Sequence, residues 1–299
     1  MNFPRSLVEA LGRKQLVPFV GAGVAMAVRR ASDGSSLFPS WPALLSAAAA
    51  RLEEEGRNKD AALVSALLAL DAPRLLEAAQ EAKRALGPTW SRFLVEQLSP
   101  DAKDVLPASL ELARLVWGLG SQLVITTNYD AVLRWACPDP GNLREWNIET
   151  PSGLVELLQG AIQRPTVWHL HGTIHHVDDI ILTPDGYTTL YPQSPTVEVR
   201  YRAALESLRT QMAGRTLLFV GVSLEDRVFG DQLRWVAQAF RGAAGPHFAL
   251  VRREDRKAFE RRAAELPVEM VEFEAFGEPL HAQLRALAAA APEGRLGPR

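Results

Sequence analysis

The stretch Val17-Pro18-Phe19-Val20-Gly21-Ala22-Gly23-Val24 decides the fold class. A short apolar run, Leu16–Val20, breaks at a glycine turn and gives way to a helical pattern. A strand that stays apolar at every position is buried on both faces, which is the condition of strands in a parallel sheet. The pattern recurs at Leu123–Thr126 and Thr216–Val220, and His247–Val251 reads as a fourth buried strand. Weaker runs at Thr166–Leu170 and Glu269–Phe273 read as two more. Strand, polar turn and helix in repetition predicts an α/β fold built on a parallel sheet.

A long helical region separates the first two strands. Pro39-Ser40-Trp41-Pro42 opens it, with Ser40 placed as an N-cap whose hydroxyl accepts from free backbone N–H groups. Leu44, Leu45, Ala48, Ala49 and Leu52 follow at helical spacing. Further helices are expected over Asp60–Leu70, Pro73–Leu86, Thr89–Leu98 and Pro107–Leu119. Together they form a helical lobe inserted at about 40–120, packing over one end of the sheet. Gly141–Gly153 reads as a loop with a short strand, and Glu278–Ala291 as the last helix. One domain over 1–291 is expected, followed by a frayed tail of Gly, Pro and Arg at 292–299.

Composition narrows the function. With 33 basic and 35 acidic residues and a net charge of -2, no direct nucleic-acid binding and no attraction to an anionic membrane are expected. The longest apolar stretch, Ala61 to Leu70, is about half of the ~20 residues a membrane span needs. Met1–Lys14 carries scattered charges and lacks the apolar centre of a secretory signal. Cys137 is the one cysteine. A single thiol excludes an internal disulfide and the three- and four-cysteine zinc sites, and it fits a reducing compartment. A cytoplasmic location is expected.

Four constellations carry chemistry. At Gly21-Ala22-Gly23, glycines admit close backbone approach to a phosphate, and a following helix N-terminus favours the anion. A tight strand-to-helix turn explains the motif equally well, and the third glycine of the dinucleotide fingerprint is missing. At Thr126-Thr127-Asn128-Tyr129-Asp130, Asn128 offers donor and acceptor and can orient a water or a ribose hydroxyl. Asp130 starts the next helix, and helix capping accounts for both residues as well. At Trp168-His169-Leu170-His171-Gly172, a continuing strand would put His169 and His171 on one face, with Gly172 allowing a sharp turn. A histidine there can serve as a general base at neutral pH; a buried structural histidine is the alternative. No His-Glu-x-x-His or cysteine set completes a zinc site, and His175 and His176 read as loop residues. At Gly221-Val222-Ser223, Ser223 can bond a phosphate or ribose oxygen, while Asp226 caps the helix holding Leu233, Val236 and Ala237. All four fall at expected C-terminal strand ends, where open α/β sheets bind ligands. Collected at one edge, they make a nucleotide pocket with one base and no metal.

In this order the motifs resemble those of the sirtuin-like NAD-binding family. Gly21-Ala22-Gly23 resembles its Gly-Ala-Gly phosphate loop, and Thr126 to Asp130 its asparagine-bearing motif. His171-Gly172 resembles its His-Gly pair, and Gly221-Val222-Ser223 its Gly-Thr-Ser or Gly-Tyr-Ser nucleotide loop. The likeness spans about Leu16 to Phe273. It implies a Rossmann-like parallel sheet with flanking helices and an inserted helical lobe, without a zinc module. It implies Asn128 and His171 as catalytic residues, and Gly21, Ala22, Gly23, Val24, Thr127, Asp130, Gly221 and Ser223 as contacts to NAD+. Pro39-Ser40-Trp41 is similar to a Pro-Ser/Thr-Trp element of the subgroup without deacylase activity, the NAD-degrading effectors of bacterial antiphage defence. Two departures stand out: Ala25 occupies the place of a usual Ser, and Ser36-Leu37-Phe38-Pro39 replaces the usual Gly-Ile/Met-Pro before the lobe.

That subgroup implies NAD+ hydrolysis, with NAD+ as substrate and no metal. A constantly active NADase would kill its own cell. Control is therefore expected from a regulatory protein partner, such as an ATPase or an Argonaute-like protein, or from assembly into a homo-oligomer. No appended sensor domain is expected within Ala288–Arg299. Two other readings stay open: a non-hydrolysing NAD or ADP-ribose sensor, and an NAD-dependent deacylase or ADP-ribosyltransferase, the deacylase disfavoured by the missing cysteines. An ordinary dehydrogenase is set aside by the incomplete glycine fingerprint and the missing ribose-binding acid.

Overall fold

Apolar runs buried on both faces need cover on both faces, and the structure supplies it. The computed structural model describes residues 3–71, 74–148, 151–160, 162–192, 201–224 and 227–290. Seven strands form one sheet: β1 (Leu16–Val20), β2 (Leu123–Thr126), β3 (Arg144–Trp146), β4 (Thr166–His169), β5 (Thr216–Val220), β6 (His247–Arg252) and β7 (Val268–Phe273). Their order is β3-β4-β2-β1-β5-β6-β7, and every pairing is parallel. Side chains alternate between two cores. Leu16, Val20, Val124, Val167, Leu218 and Val220 enter one; Val17, Phe19, Ile125, Trp168, Leu217 and Phe219 enter the other. Pro18 sits in the central strand without an N–H to give. The β1–β2 ladder begins just past it, at Phe19↔Ile125.

The first core is closed by α1 (Arg5–Gly12), α2 (Ala22–Met26), α7 (Glu111–Trp117), α8 (Val132–Trp135) and α14 (Glu278–Ala289). The second is closed by α9 (Pro151–Gln159), α10 (Pro184–Leu190), α11 (Arg202–Gly214), α12 (Arg227–Ala239) and α13 (Arg256–Ala263). A third core belongs to the helical lobe: α3 (Trp41–Glu54), α4 (Asn58–Leu68), α5 (Leu75–Leu86) and α6 (Trp90–Leu98). The Ser40 hydroxyl caps α3, accepting from the Ala43 N–H at 3.3 Å. Ile174, Leu182 and Tyr129 join this core from the sheet, so the lobe rests on the segments that follow β2 and β4.

Several expectations shift at their ends. The helix placed at Pro107–Leu119 is a 3-10 turn, Pro107–Leu110, followed by α7. His175 and His176, read as loop, lie in an interrupted 3-10 segment, Ile174–Asp179. The fourth strand stops at His169, and Leu170 begins a turn closed by the Gly172 N–H on the His169 carbonyl, 3.2 Å. Pro73, Asp226, Ala291 and the tail 292–299 lie outside the described residues.

His247 adds a pH dependence. It is wholly buried between β5 and β6, and its Nδ1 accepts from the Leu217 N–H at 3.2 Å. The neutral ring therefore carries its hydrogen on Nε2, which has no partner among the described residues. Burial pushes its pKa down to about 4, against about 6.5 in an unfolded chain. Between those values the unfolded state holds the extra proton, so stability falls as pH falls. His247 alone should remove about 3 kcal/mol between pH 7 and 4. Burial lowers the pKa of His169 as well and adds the same sign, while it raises that of Asp130 and adds the opposite. Urea unfolding across this range should therefore be compared in the parent and in His247→Phe. The variant's curve should be flatter by that amount, and parallel curves would refute the assignment.

Candidate functional site

β1 is the point at which the chain switches between halves of the sheet: β2 lies on one side and β5 on the other. Open α/β sheets bind ligands beyond the C-terminal ends of such strands. The four constellations follow β1, β2, β4 and β5, which are contiguous in the order β4-β2-β1-β5.

Three glycines let the β1 and β5 ends meet backbone to backbone. The Gly21 N–H donates to the Val220 carbonyl and the Gly23 N–H to the Gly221 carbonyl, both at 3.0 Å. A Cβ on Gly21 would sit 2.6 Å from the Gly221 oxygen, and one on Gly23 2.8 Å from the Gly221 Cα. The Val24 N–H returns to the Gly21 carbonyl at 3.1 Å. The amides that the sequence places around a phosphate are thus largely engaged with protein carbonyls. Among the described residues, Ala22, first residue of the five-residue α2, is the exception. Sequence reasoning missed this contact between glycines some 200 positions apart.

Asn128 is clasped from three sides. Its N–H donates to Thr126 Oγ1 at 3.0 Å, and that hydroxyl donates to the Val20 carbonyl at 2.9 Å. Its Nδ2 donates to the Gly21 carbonyl at 3.0 Å, tying β2 to the glycine turn. Its own carbonyl lies 2.8 Å from His169 Nδ1. The carboxamide oxygen makes no hydrogen bond among the described residues. The Thr127 N–H extends the β1 contact, donating to the Val20 carbonyl at 3.2 Å.

His169, not His171, is therefore the histidine that touches Asn128. Its Nε2 lies 3.6 Å from Glu145 Oε1, too far for a hydrogen bond, and Glu145 pairs with Arg134. Burial holds the His169 pKa below the ordinary histidine value, so the ring is neutral and the Glu145 contact is no ion pair. Asp130 is also buried, which raises its carboxyl above the usual range, and its Oδ1 accepts from the Val132 N–H at 2.9 Å, capping α8. His171 faces other company. Its Nε2 lies 3.0 Å from the Tyr191 hydroxyl, and Tyr187 of α10 packs edge-on at 5.3 Å. The turn at Leu170 causes the divergence: the two histidines do not share a strand face. Gly172 takes φ +88°, and a Cβ there would meet the Asp179 oxygen at 2.7 Å.

Tyr129 ties the segment after β2 to the one after β4, on which the lobe rests. Its hydroxyl donates to the Ile181 carbonyl at 2.8 Å, and its carbonyl accepts from the Ile174 N–H at 2.9 Å. The Ile181 N–H in turn donates to the His171 carbonyl at 2.8 Å. From β5, the Ser223 carbonyl accepts from Arg262 of α13 at 3.4 Å. Open depressions lie outside α12 (Arg234, Ala237, Gln238, Arg241) and along the β7 edge (Met270, Glu272, Glu274). Asn128 and His171 are enclosed, at 9% and 3% exposure. Among the described residues no group of His, Cys, Asp and Glu is arranged to hold a metal ion, and no helix is long and apolar enough to cross a membrane.

A model of the SIR2-like domain matches residues 122–271, 150 of the 299 residues. The chain belongs to the SIR2-like family. The matched region of this SIR2-like chain holds Asn128, His169, His171 and Gly221. The chain is 26% identical over 253 residues to the NAD(+) hydrolase ThsA of Enterococcus faecium, covering 82% of this chain and 45% of that protein. It is 23% identical over 139 residues to the NAD(+) hydrolase ThsA of Bacillus cereus (strain MSX-D12), covering 46% of this chain and 27% of that protein. The SIR2-like chain thus spans less than half the length of the curated relatives it matches.

Proposed function

We propose that this chain hydrolyses NAD+ at the nicotinamide–ribose bond, inside the cell, as an NAD-depleting effector of antiphage defence. The observation that carries the reading is Asn128. It is fixed by three hydrogen bonds at the switch point of a SIR2-like sheet, with its carboxamide oxygen left as an acceptor. Two relatives named as NAD(+) hydrolases support the choice of substrate. Nicotinamide leaves as a neutral molecule from a cationic precursor, so expelling it needs no general acid. The barrier lies in the oxocarbenium-like ribosyl centre and in delivering water to it. Asn128 orients that water or a ribose hydroxyl through its carboxamide oxygen. His171 accepts the proton. To work through Nε2, His171 exchanges the Tyr191 hydroxyl for the substrate.

The Gly21–Val24 turn, with the Ala22 N–H, and the Gly221–Ser223 turn hold the pyrophosphate and adenosine half, with Thr127 and Asp130 beside them. The lobe, seated on Tyr129 and Ile174, excludes water, which strengthens the polar contacts of the reacting centre. In the proposed reading residues 1–291 form one domain with the lobe inserted, and a protein partner or self-assembly controls it.

The test is incubation of the purified chain with NAD+, alone and with candidate partner proteins, with chromatographic identification of products. Nicotinamide and ADP-ribose, or its cyclic form, should appear in equal amounts. The enclosure of His171 under Tyr187 and Tyr191 favours one second reading, a sensor that binds NAD+ without cleaving it. Saturable binding with no nicotinamide release under any of these conditions would establish the sensor and refute hydrolysis.

A further inference from the structure

We propose that His169 is a positioning residue: its Nδ1–H holds the main-chain carbonyl of Asn128 and thereby aims the Asn128 carboxamide. This rests on the reading of Asn128 as the residue that orients the reacting water or ribose hydroxyl. A carbonyl oxygen only accepts, so the 2.8 Å contact requires the hydrogen on Nδ1. His169 ends β4 directly opposite Thr126, the residue that holds the Asn128 N–H. One pair of adjacent strand ends therefore fixes both peptide groups flanking the Asn128 Cα, while Gly21 fixes the side chain. The ring is 2% exposed. Around it stand Glu145, paired with Arg134, and Asp130 and His175 at longer range.

With the ring gone, the Asn128 carbonyl loses its partner and the peptide is free to rotate. The carboxamide then drifts from the reacting centre, although nothing that touches the rest of the dinucleotide has changed. Small displacements of an orienting group cost catalysis far more than binding.

The experiment exploits the geometry of two amides. The Asn nitrogen is as many bonds from Cβ as His Nδ1, whereas the Gln nitrogen matches His Nε2. His169→Asn keeps a donor facing the Asn128 carbonyl; His169→Gln moves it away. With the full chain, under the conditions that make the parent active, His169→Gln should lose about 10- to 100-fold in kcat. KM for NAD+ should stay within about 3-fold, and His169→Asn should recover most of kcat. Equal kcat in the two variants, measured on folded protein of similar Tm, overturns the inference. A parent that releases no nicotinamide overturns the hydrolase reading instead. Nitrogen-15 spectra of the histidine-labelled parent then decide the structural part separately. A neutral ring protonated on Nδ1 supports the clamp, and a ring protonated on Nε2 rejects it.

Discussion

Replacing His171 by Ala should lower NAD+ turnover at least ~100-fold, and Asn128→Ala should do the same, because a positioned acid/base group contributes about 100- to 10,000-fold. The two losses have different structural side effects. His171→Ala leaves the buried Tyr191 hydroxyl without its ring partner, and Asn128→Ala leaves the Gly21 carbonyl without Nδ2. Each lost hydrogen bond costs about 0.5–1.5 kcal/mol of stability, since the Gly21 carbonyl keeps the Val24 N–H. Turnover must therefore be expressed per folded molecule, with the melting curve of each variant recorded beside it. Near-normal turnover in either variant would remove that residue from the mechanism. If the two acted in one proton-transfer unit, the double variant should be little worse than either single one.

The second large effect is on the fold. Gly221→Ala combines a φ of +68° with a Cβ placed 2.8 Å from the Val24 nitrogen and 3.0 Å from Gly23. A left-handed conformation costs an L-residue about 1–2 kcal/mol, and overpacking against atoms that cannot retreat adds about 1–3 kcal/mol. The expected loss is about 3 kcal/mol, a large share of a typical domain's 5–15 kcal/mol. Gly120 is the control: its φ is +78°, but nothing lies within 4 Å of its Cβ position. Gly120→Ala should show the backbone cost alone. Equal denaturation midpoints for the two variants would mean that the β1 and β5 ends do not meet as described.

The sheet was legible because its central strands are apolar at every position, a pattern that only burial on both faces rewards. β3 was harder to place. Its three residues, Arg144-Glu145-Trp146, lie at the sheet edge and carry two charges, so only a short strand within a loop could be read there. Helices α1, α11 and α13 were not named; in α13 only Ala258, Phe259 and Ala263 are apolar among charges. In the site, residue types were legible and partners were not. Period-two alternation put His169 and His171 on one face, but it holds only while the strand continues, and the turn at Leu170 ends it. The sequence shows each glycine turn alone. That Gly21 and Gly23 press on Gly221 depends on β1 lying beside β5, a fact of topology.

That topology also sets when the site can exist. The central strand pairs with strands that begin about 100 and 200 residues later. Contacts of such sequence separation form slowly, after long loops have closed. A growing chain therefore has no glycine contact and no complete clasp on Asn128 until β4 and β5 have left the ribosome. Unfinished or truncated products that lack β4 or β5 therefore carry neither the glycine contact nor the complete clasp on Asn128.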